Sequence, residues 1–167
     1  GLDTSTLLAI DSYQRVQSFQ AEDLIRANSS RMAIPLKQMA QDGPIWNIEW
    51  SPDDQYFVTG NTHESTNPKA LNQACVWRLS DGEQMYCVQH KDDVNDAIFS
   101  RDGKYLITAS ADKTVRFWDA KTGKPDDTKT LTFDDVINDL DVSNSILAIA
   151  RQDGFLTIYY FDKPDLK

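Results

Sequence analysis

The run Ile45-Trp46-Asn47-Ile48-Glu49-Trp50-Ser51-Pro52-Asp53-Asp54-Gln55-Tyr56-Phe57-Val58-Thr59 returns, at a constant offset, as Val94-Asn95-Asp96-Ala97-Ile98-Phe99-Ser100-Arg101-Asp102-Gly103-Lys104-Tyr105-Leu106-Ile107-Thr108. A third, more degenerate copy is Ile137-Asn138-Asp139-Leu140-Asp141-Val142-Ser143, followed after a shortened turn by Ile146-Leu147-Ala148-Ile149-Ala150. In each copy two short runs rich in β-branched and aromatic residues flank a polar turn, which is the pattern of a hairpin. Each copy then adds a third run, seen as Ala74-Cys75-Val76-Trp77-Arg78-Leu79, Thr114-Val115-Arg116-Phe117-Trp118-Asp119 and Phe155-Leu156-Thr157-Ile158-Tyr159-Tyr160. The turns Ser80-Asp81-Gly82-Glu83 and Ala120-Lys121-Thr122-Gly123-Lys124 lead to a fourth, at Gln84-Met85-Tyr86-Cys87-Val88 and Lys129-Thr130-Leu131. Four antiparallel strands recurring at this period make a propeller blade. The predicted fold class is all-β: about three β-propeller blades of four-stranded antiparallel sheets, a partial propeller, preceded by a short α-helical segment.

Outward from the repeats, Thr6 to Ala27 mixes Leu, Ala, Ile, Gln, Glu and Arg without Gly or Pro, which suits helix. Ser18 serves as an N-cap within it, and Asn28-Ser29-Ser30 ends it; that tripeptide also spells a glycosylation sequon, read here as a chance match. The expected organisation is a helical linker over 1–33 and a propeller segment over 34–167. Its blades run over about 40–88, 89–131 and 132–162, with 34–39 as a lone outer strand. The 167 residues carry 17 Lys and Arg against 26 Asp and Glu, a formal charge of -9. That balance argues against a grip on nucleic acid phosphates and favours a basic partner. The longest apolar run, Ile146 to Ala150, is too short to cross a bilayer. The N-terminus has neither an initiator Met nor a basic leader, so a mid-protein start is expected, with no signal peptide. Cys75 and Cys87 suit a reducing, cytoplasmic setting and read best as small buried hydrophobes, with a single bridge left open.

The string Ser110-Ala111-Asp112-Lys113-Thr114-Val115-Arg116-Phe117-Trp118-Asp119 resembles the WD-repeat β-propeller family, and the likeness extends over roughly Ile34 to Asp162. The resemblance implies a structural hydrogen-bond tetrad of His90, Thr108, Asp112 and Trp118, an architectural device with no catalytic part. The first repeat has Trp77 and Thr59 but Gln41 in place of His, lacks the Asp, and carries an insertion from His63 to Ala70. The third keeps Asp153 but has Tyr159 for Trp and Ile149 for the hydroxyl, so its blade is expected to rest on apolar packing. The front end, Leu7 to Ser12 with Ala21 to Arg26 and Ile34-Pro35-Leu36, is similar to the helical junction that joins STAND-type NTPases or caspase-like domains to WD-repeat tails in bacterial multidomain proteins. No phosphate-binding Gly-x-x-x-x-Gly-Lys-Ser/Thr run occurs. At about 40–45 residues per blade the chain holds about three blades, whereas closed propellers have about 4–8. It is therefore expected to be a fragment whose remaining blades come from further sequence or from a second chain.

His63 and His90 with Cys75 and Cys87 lack a Cys-x-x-Cys pair, so no metal and no cofactor is expected. A likeness of the Ser-x-Asp string to the Asp-box of sialidase propellers lacks a paired carboxylate, and no Gly-x-Ser-x-Gly elbow is present, so no enzyme activity is expected. Asp92-Asp93, Asp134-Asp135 and Asp42 recur in the turn entering each blade, giving an electronegative rim suited to a Lys/Arg-rich peptide; the same acidic turns also serve simply to cap loops. The resemblance puts partner contacts on that rim at Trp46, Asp93, Asn95, Ala111, Asn138 and Gln152. Trp46, an aromatic at a strand entry, is the expected anchor, with blade packing as its ordinary alternative. The expected function is a non-enzymatic protein or peptide interaction, scaffold or sensor module. The alternatives are a regulatory tail of a larger signalling enzyme and, more weakly, a propeller hydrolase.

Overall fold

The computed structural model of the protein describes residues 38–41, 43–62 and 71–161. Every described strand lies within the compact unit Met39–Lys167. β1 (Ile45–Trp50), β2 (Tyr56–Asn61), β3 (Gln73–Arg78) and β4 (Gln84–Gln89) form one antiparallel sheet in that order. β5 (Val94–Phe99), β6 (Tyr105–Ser110), β7 (Thr114–Asp119) and β8 (Leu131–Thr132) form a second, and β9 (Ile137–Ser143), β10 (Ile146–Arg151) and β11 (Leu156–Tyr160) a third. The inner strands β1, β5 and β9 stand side by side, so the three sheets pack face to face as successive blades. The four-stranded expectation holds for the first two; the third has three strands among the described residues. The helices expected over 1–33, and residues 34–37 of the expected outer strand, lie outside the described residues, while Gln38 and Met39 are not in a strand.

The repeated turn explains itself at atomic level. Ser51 Oγ donates to Asp53 Oδ1 (2.6 Å) and accepts from Tyr56 N–H (2.9 Å), while Asp53 Oδ1 also accepts from Gln55 N–H (3.1 Å). Ser100, Asp102, Lys104 and Tyr105 repeat the arrangement at 2.8, 2.9 and 3.1 Å in the same order. The turn needs one left-handed residue, supplied by Asp54 (φ 56), Gly103 (φ 67) and, in the shortened third copy, Asn144 (φ 51), the residue types that tolerate that region best.

The middle blade is buried on both faces. Val94, Ala97, Phe99, Leu106 and Trp118 pack with Val58, Ala74, Val76 and Val88 of the first blade. Ile98, Ile107, Ala109, Val115 and Phe117 pack with Ile137, Leu140, Val142, Leu147 and Ile149 of the third. Strand alternation sends successive side chains to opposite faces, which is why β6 is buried along nearly its whole length. Gly123, at φ 68 in the turn after β7, lies so close to the Tyr86 ring of the neighbouring blade that a Cβ there would come within 2.5 Å of it. Tyr86 in turn donates its hydroxyl to the Ala120 carbonyl (2.5 Å), and burial raises its ionisation above the usual phenol range.

Two expectations are corrected. The fourth strand of the second blade, expected at Lys129–Leu131, begins only at Leu131: after an isolated bridge between Pro125 and Trp118 the chain leaves the ladder, and Asp127–Lys129 coils into a 3-10 turn closed by Lys129 N–H to the Asp126 carbonyl (3.0 Å). Cys75 and Cys87, read as buried thiols, form a disulfide, since β3 and β4 pair in a register that sets the two residues directly opposite each other. The disulfide also removes the argument for a reducing compartment that two free thiols carried.

Candidate partner-binding rim

Each inner strand is irregular at the same place. Ile45 pairs with Asn61 and Asn47 with Gly60, which leaves Trp46 without a partner; Val94 pairs with Ser110 and Asp96 with Ala109, leaving out Asn95; Ile137 pairs with Arg151 and Asp139 with Ala150, leaving out Asn138. Three β-bulges thus turn Trp46, Asn95 and Asn138 out of the ladder at one end of the blades, the way bulges re-aim side chains beside binding sites. At the same end the residue after each second strand donates its N–H to the carbonyl just before the first: Thr62 to Pro44 (3.3 Å), Ala111 to Asp93 (2.9 Å) and Gln152 to Val136 (3.0 Å). The bulge residues and these loop residues line a single open depression of about 460 Å³, whose walls are Trp46, Thr62, Asn95, Ala111, Val136, Asn138 and Gln152.

Five of the six partner-contact residues expected from sequence therefore meet in one concavity, with Trp46 72% exposed at its wall. Asp93 stands outside the lining, its carbonyl engaged with Ala111 and its N–H donated to Asp92 Oδ1 (2.9 Å). The depression itself contains no charged side chain. The acidic turns do local work around it: Asp135 Oδ1 accepts from Val136 N–H (2.8 Å), and the Asp134 carbonyl accepts from Lys113 Nζ (2.8 Å). Asp42 lies outside the described residues. Thr62 and Val136 were missed by sequence reasoning, although Thr62 occupies the place of Ala111 and Gln152 in the repeat and that alignment would have found it. Asn95 Nδ2 donates to the Ile137 carbonyl (2.8 Å), which fixes the second bulge to the third blade.

The rim is held from behind by the tetrad. Trp118 Nε1–H donates to Thr108 Oγ1 (2.8 Å), Thr108 lies 2.7 Å from His90 Nε2, and His90 Nδ1 lies 3.0 Å from Asp112 Oδ2. A neutral imidazole satisfies every member when Thr108 donates to Nε2 and Nδ1–H donates to the carboxylate. Asp112 accepts further from Lys91 N–H (3.0 Å) and Thr114 N–H (3.0 Å). Burial opposes its ionisation, but the bonds from His90, Thr114 and Lys91 together outweigh burial and hold its carboxyl well below the usual range. In the first blade the same chain runs from Trp77 Nε1–H to Thr59 Oγ1 (2.8 Å) and on from the Thr59 hydroxyl to Gln41 Oε1, so an amide oxygen replaces the imidazole. In the third blade Phe133 stands in the place of His90, and Arg151 stacks over it (5.5 Å) and over Phe155 (5.3 Å) while pairing with Asp153. A cation sandwiched between rings thus replaces the polar chain there.

Among the described residues no group of three or more His, Cys, Asp and Glu is placed to hold a metal ion, and no helix is long and apolar enough to cross a membrane. Of the zinc candidates, His90 is taken by the tetrad, both cysteines by the disulfide, and His63 lies outside the described residues.

The sequence profile of the WD domain, G-beta repeat, matches residues 35–66 and 82–119. Eukaryotic translation initiation factor 3 subunit I of Drosophila grimshawi is 26% identical over 104 residues, 61% of this chain and 28% of that protein. The mRNA export factor GLE2 of Chaetomium thermophilum is 22% identical over 165 residues, 97% of this chain and 42% of that one. The crystal structure of RRP9 WD40 repeats superposes with a TM-score of 0.63 at 18% identity, covering 77% of this chain and 38% of that one. The chain thus spans less than half the length of each of these proteins, and the two curated relatives are eukaryotic, so they lend nothing to a bacterial origin. Two stretches of the chain thus match the WD repeat profile, and its three sheets have the fold of WD40 propeller blades.

Proposed function

We propose that this chain is a non-enzymatic interaction module that docks a peptide or a protein surface in the depression at the bulged ends of its inner strands. The observation that supports the reading is the meeting of three bulge residues, one from each blade, in a single concavity with an exposed indole at its wall. An indole on a rigid strand supplies a large contact area at little entropic cost, and the amides of Asn138 and Gln152 can both donate to and accept from a peptide main chain. The charge of -9 favours encounter with a basic partner, and the acidic turns surround rather than line the depression, so they bear on encounter rate more than on fit. One relative is by name a subunit of an initiation factor, which accords with a scaffold role.

The second reading, a regulatory tail behind a STAND-type or caspase-like signalling enzyme, draws its support from the sequence of residues 1–33, which lie outside the described residues. The test of the first reading is selection of peptides from a random display library on the full chain. Selected peptides are expected to lose at least about tenfold in affinity to Trp46→Ala, and to tolerate Lys124→Ala in the turn after β7. Binding indifferent to Trp46→Ala would overturn the reading.

A further inference from the structure

Asp96 stands on β5 immediately after the bulge residue Asn95 and is only 4% exposed. Its carboxyl group reaches all three inner strands. Oδ1 accepts from Asn47 Nδ2 on β1 (2.5 Å) and from the adjacent Ala97 N–H (2.9 Å), and Oδ2 accepts from Leu140 N–H on β9 (2.8 Å). Asn47 and Asp139 hold the same place on their own strands, the first paired residue beyond each bulge. A buried carboxyl group therefore fastens the blades together at the level where Trp46, Asn95 and Asn138 leave the ladder.

From this geometry we infer that Asp96 is a positioning residue for the rim depression, and that gain or loss of a proton on its carboxyl group changes how the three bulge residues are presented. The inference rests on the reading of the rim as the binding face. In the ionised form the carboxylate takes three donors, and Asn47 Oδ1 is left buried with no partner. When a proton arrives from solvent, the acid carries an O–H that needs an acceptor. A half-turn of the Asn47 amide brings Oδ1 to the place of Nδ2, where it accepts that O–H, and Nδ2 takes the buried place that the oxygen had held. The two protonation states thus correspond to two orientations of one amide, on the residue that directly follows Trp46.

Desolvation is the chief cause that pushes the Asp96 carboxyl up to about 7; the bond from Leu140 opposes it, like charge on Asp139 adds to it, the bond from Ala97 opposes it, and Glu49 adds again. Glu49 on β1 and Asp139 on β9 are the charged groups that face Asp96 from the flanking inner strands. Neither β2 nor β6 carries an acidic or basic residue, and on β3 the one cation, Arg78, is paired with Asp81 and Glu83. Because the folded protein holds this proton more tightly than the unfolded chain does, the stability Asp96 contributes is full below about pH 4, falls as the pH rises towards 7, and levels off above.

The test is NMR of the isotopically labelled full chain from about pH 5 to about pH 8.5, following the Asp96 carboxyl carbon, the Asn47 side-chain amide, the Leu140 amide and the Trp46 indole N–H. One common midpoint near 7 is expected for all four. Asp96→Asn, which keeps an acceptor and adds a donor, is expected to abolish the Trp46 and Asn47 steps. A Trp46 signal that stays flat while the Asp96 carbon titrates, or a Trp46 step that persists in Asp96→Asn, would overturn the inference, as would an Asp96 carbon that titrates in the ordinary carboxylate range. If Asp96→Asn does not fold, coincidence or separation of the wild-type midpoints decides. No ligand enters the measurement, so a rim that binds no peptide and an Asp96 that moves nothing give separate results.

Discussion

Thr108 shows how much one hydroxyl can carry. It accepts the Trp118 indole N–H and meets the His90 imidazole, so a single oxygen on β6 satisfies two buried groups, one on β7 and one in the loop before β5. Thr108→Val keeps the shape and removes the oxygen, leaving both groups without their partner at a cost of about 2–4 kcal/mol, read as a lower urea midpoint with an unchanged slope. Thr59→Val is expected to act through Trp77 and Gln41 in the same way, since the first blade runs the same chain with an amide oxygen at its end. These residues were legible through the resemblance to the WD-repeat family, whose tetrad maps onto them, and the need of a buried indole N–H for an acceptor gives that mapping its physical sense. Gln41 was legible only as a departure from the pattern; its bond to Thr59 depends on an amide oxygen reaching where an imidazole nitrogen would sit, which residue types alone do not convey. The role of Asp96 was not legible at all, because it consists of contacts to strands of two other blades.

The strands were the most legible elements, since each copy of the repeat restates the same hairpin and its Ser–Asp turn. What the pattern left out was register. The disulfide and the bulges are both register effects: pairing of β3 with β4 sets Cys75 against Cys87, and a slipped pair on each inner strand expels Trp46, Asn95 and Asn138. A period of two along a strand names the buried face but not the partner residue across the ladder. The disulfide has its own consequence for the outer edge of the first blade. It closes a loop with a sequence separation of 12, so its loss by reduction or by Cys75→Ala with Cys87→Ala is expected to lower stability by about 2–3 kcal/mol. Guanidinium unfolding with and without reductant checks this; the wild type should respond to reductant and the double variant should not.

Across the three blades, burial is uneven. The middle blade hides both faces, whereas Ile48 and Trp50 on β1 and Leu156, Ile158 and Phe155 at the far side of the third blade are exposed. Such contiguous apolar faces mark association surfaces. Light scattering of the full chain is expected to give a mass above the 18.9 kDa monomer, and Trp50→Glu combined with Ile158→Glu is expected to return it to the monomer. A monomeric wild type would mean that these faces stay solvated. The bulges bear differently on the whole molecule. A residue expelled from the ladder contributes neither to register nor to the two cores, so replacing Trp46 or Asn138 alters what the rim displays while the blades keep their pairing, whereas Asn95 also holds the Ile137 carbonyl of the third blade. Two such positions, in different repeats and facing one hollow, form a short alphabet that mutation can rewrite without renegotiating the fold, which makes them the natural place to retarget this protein.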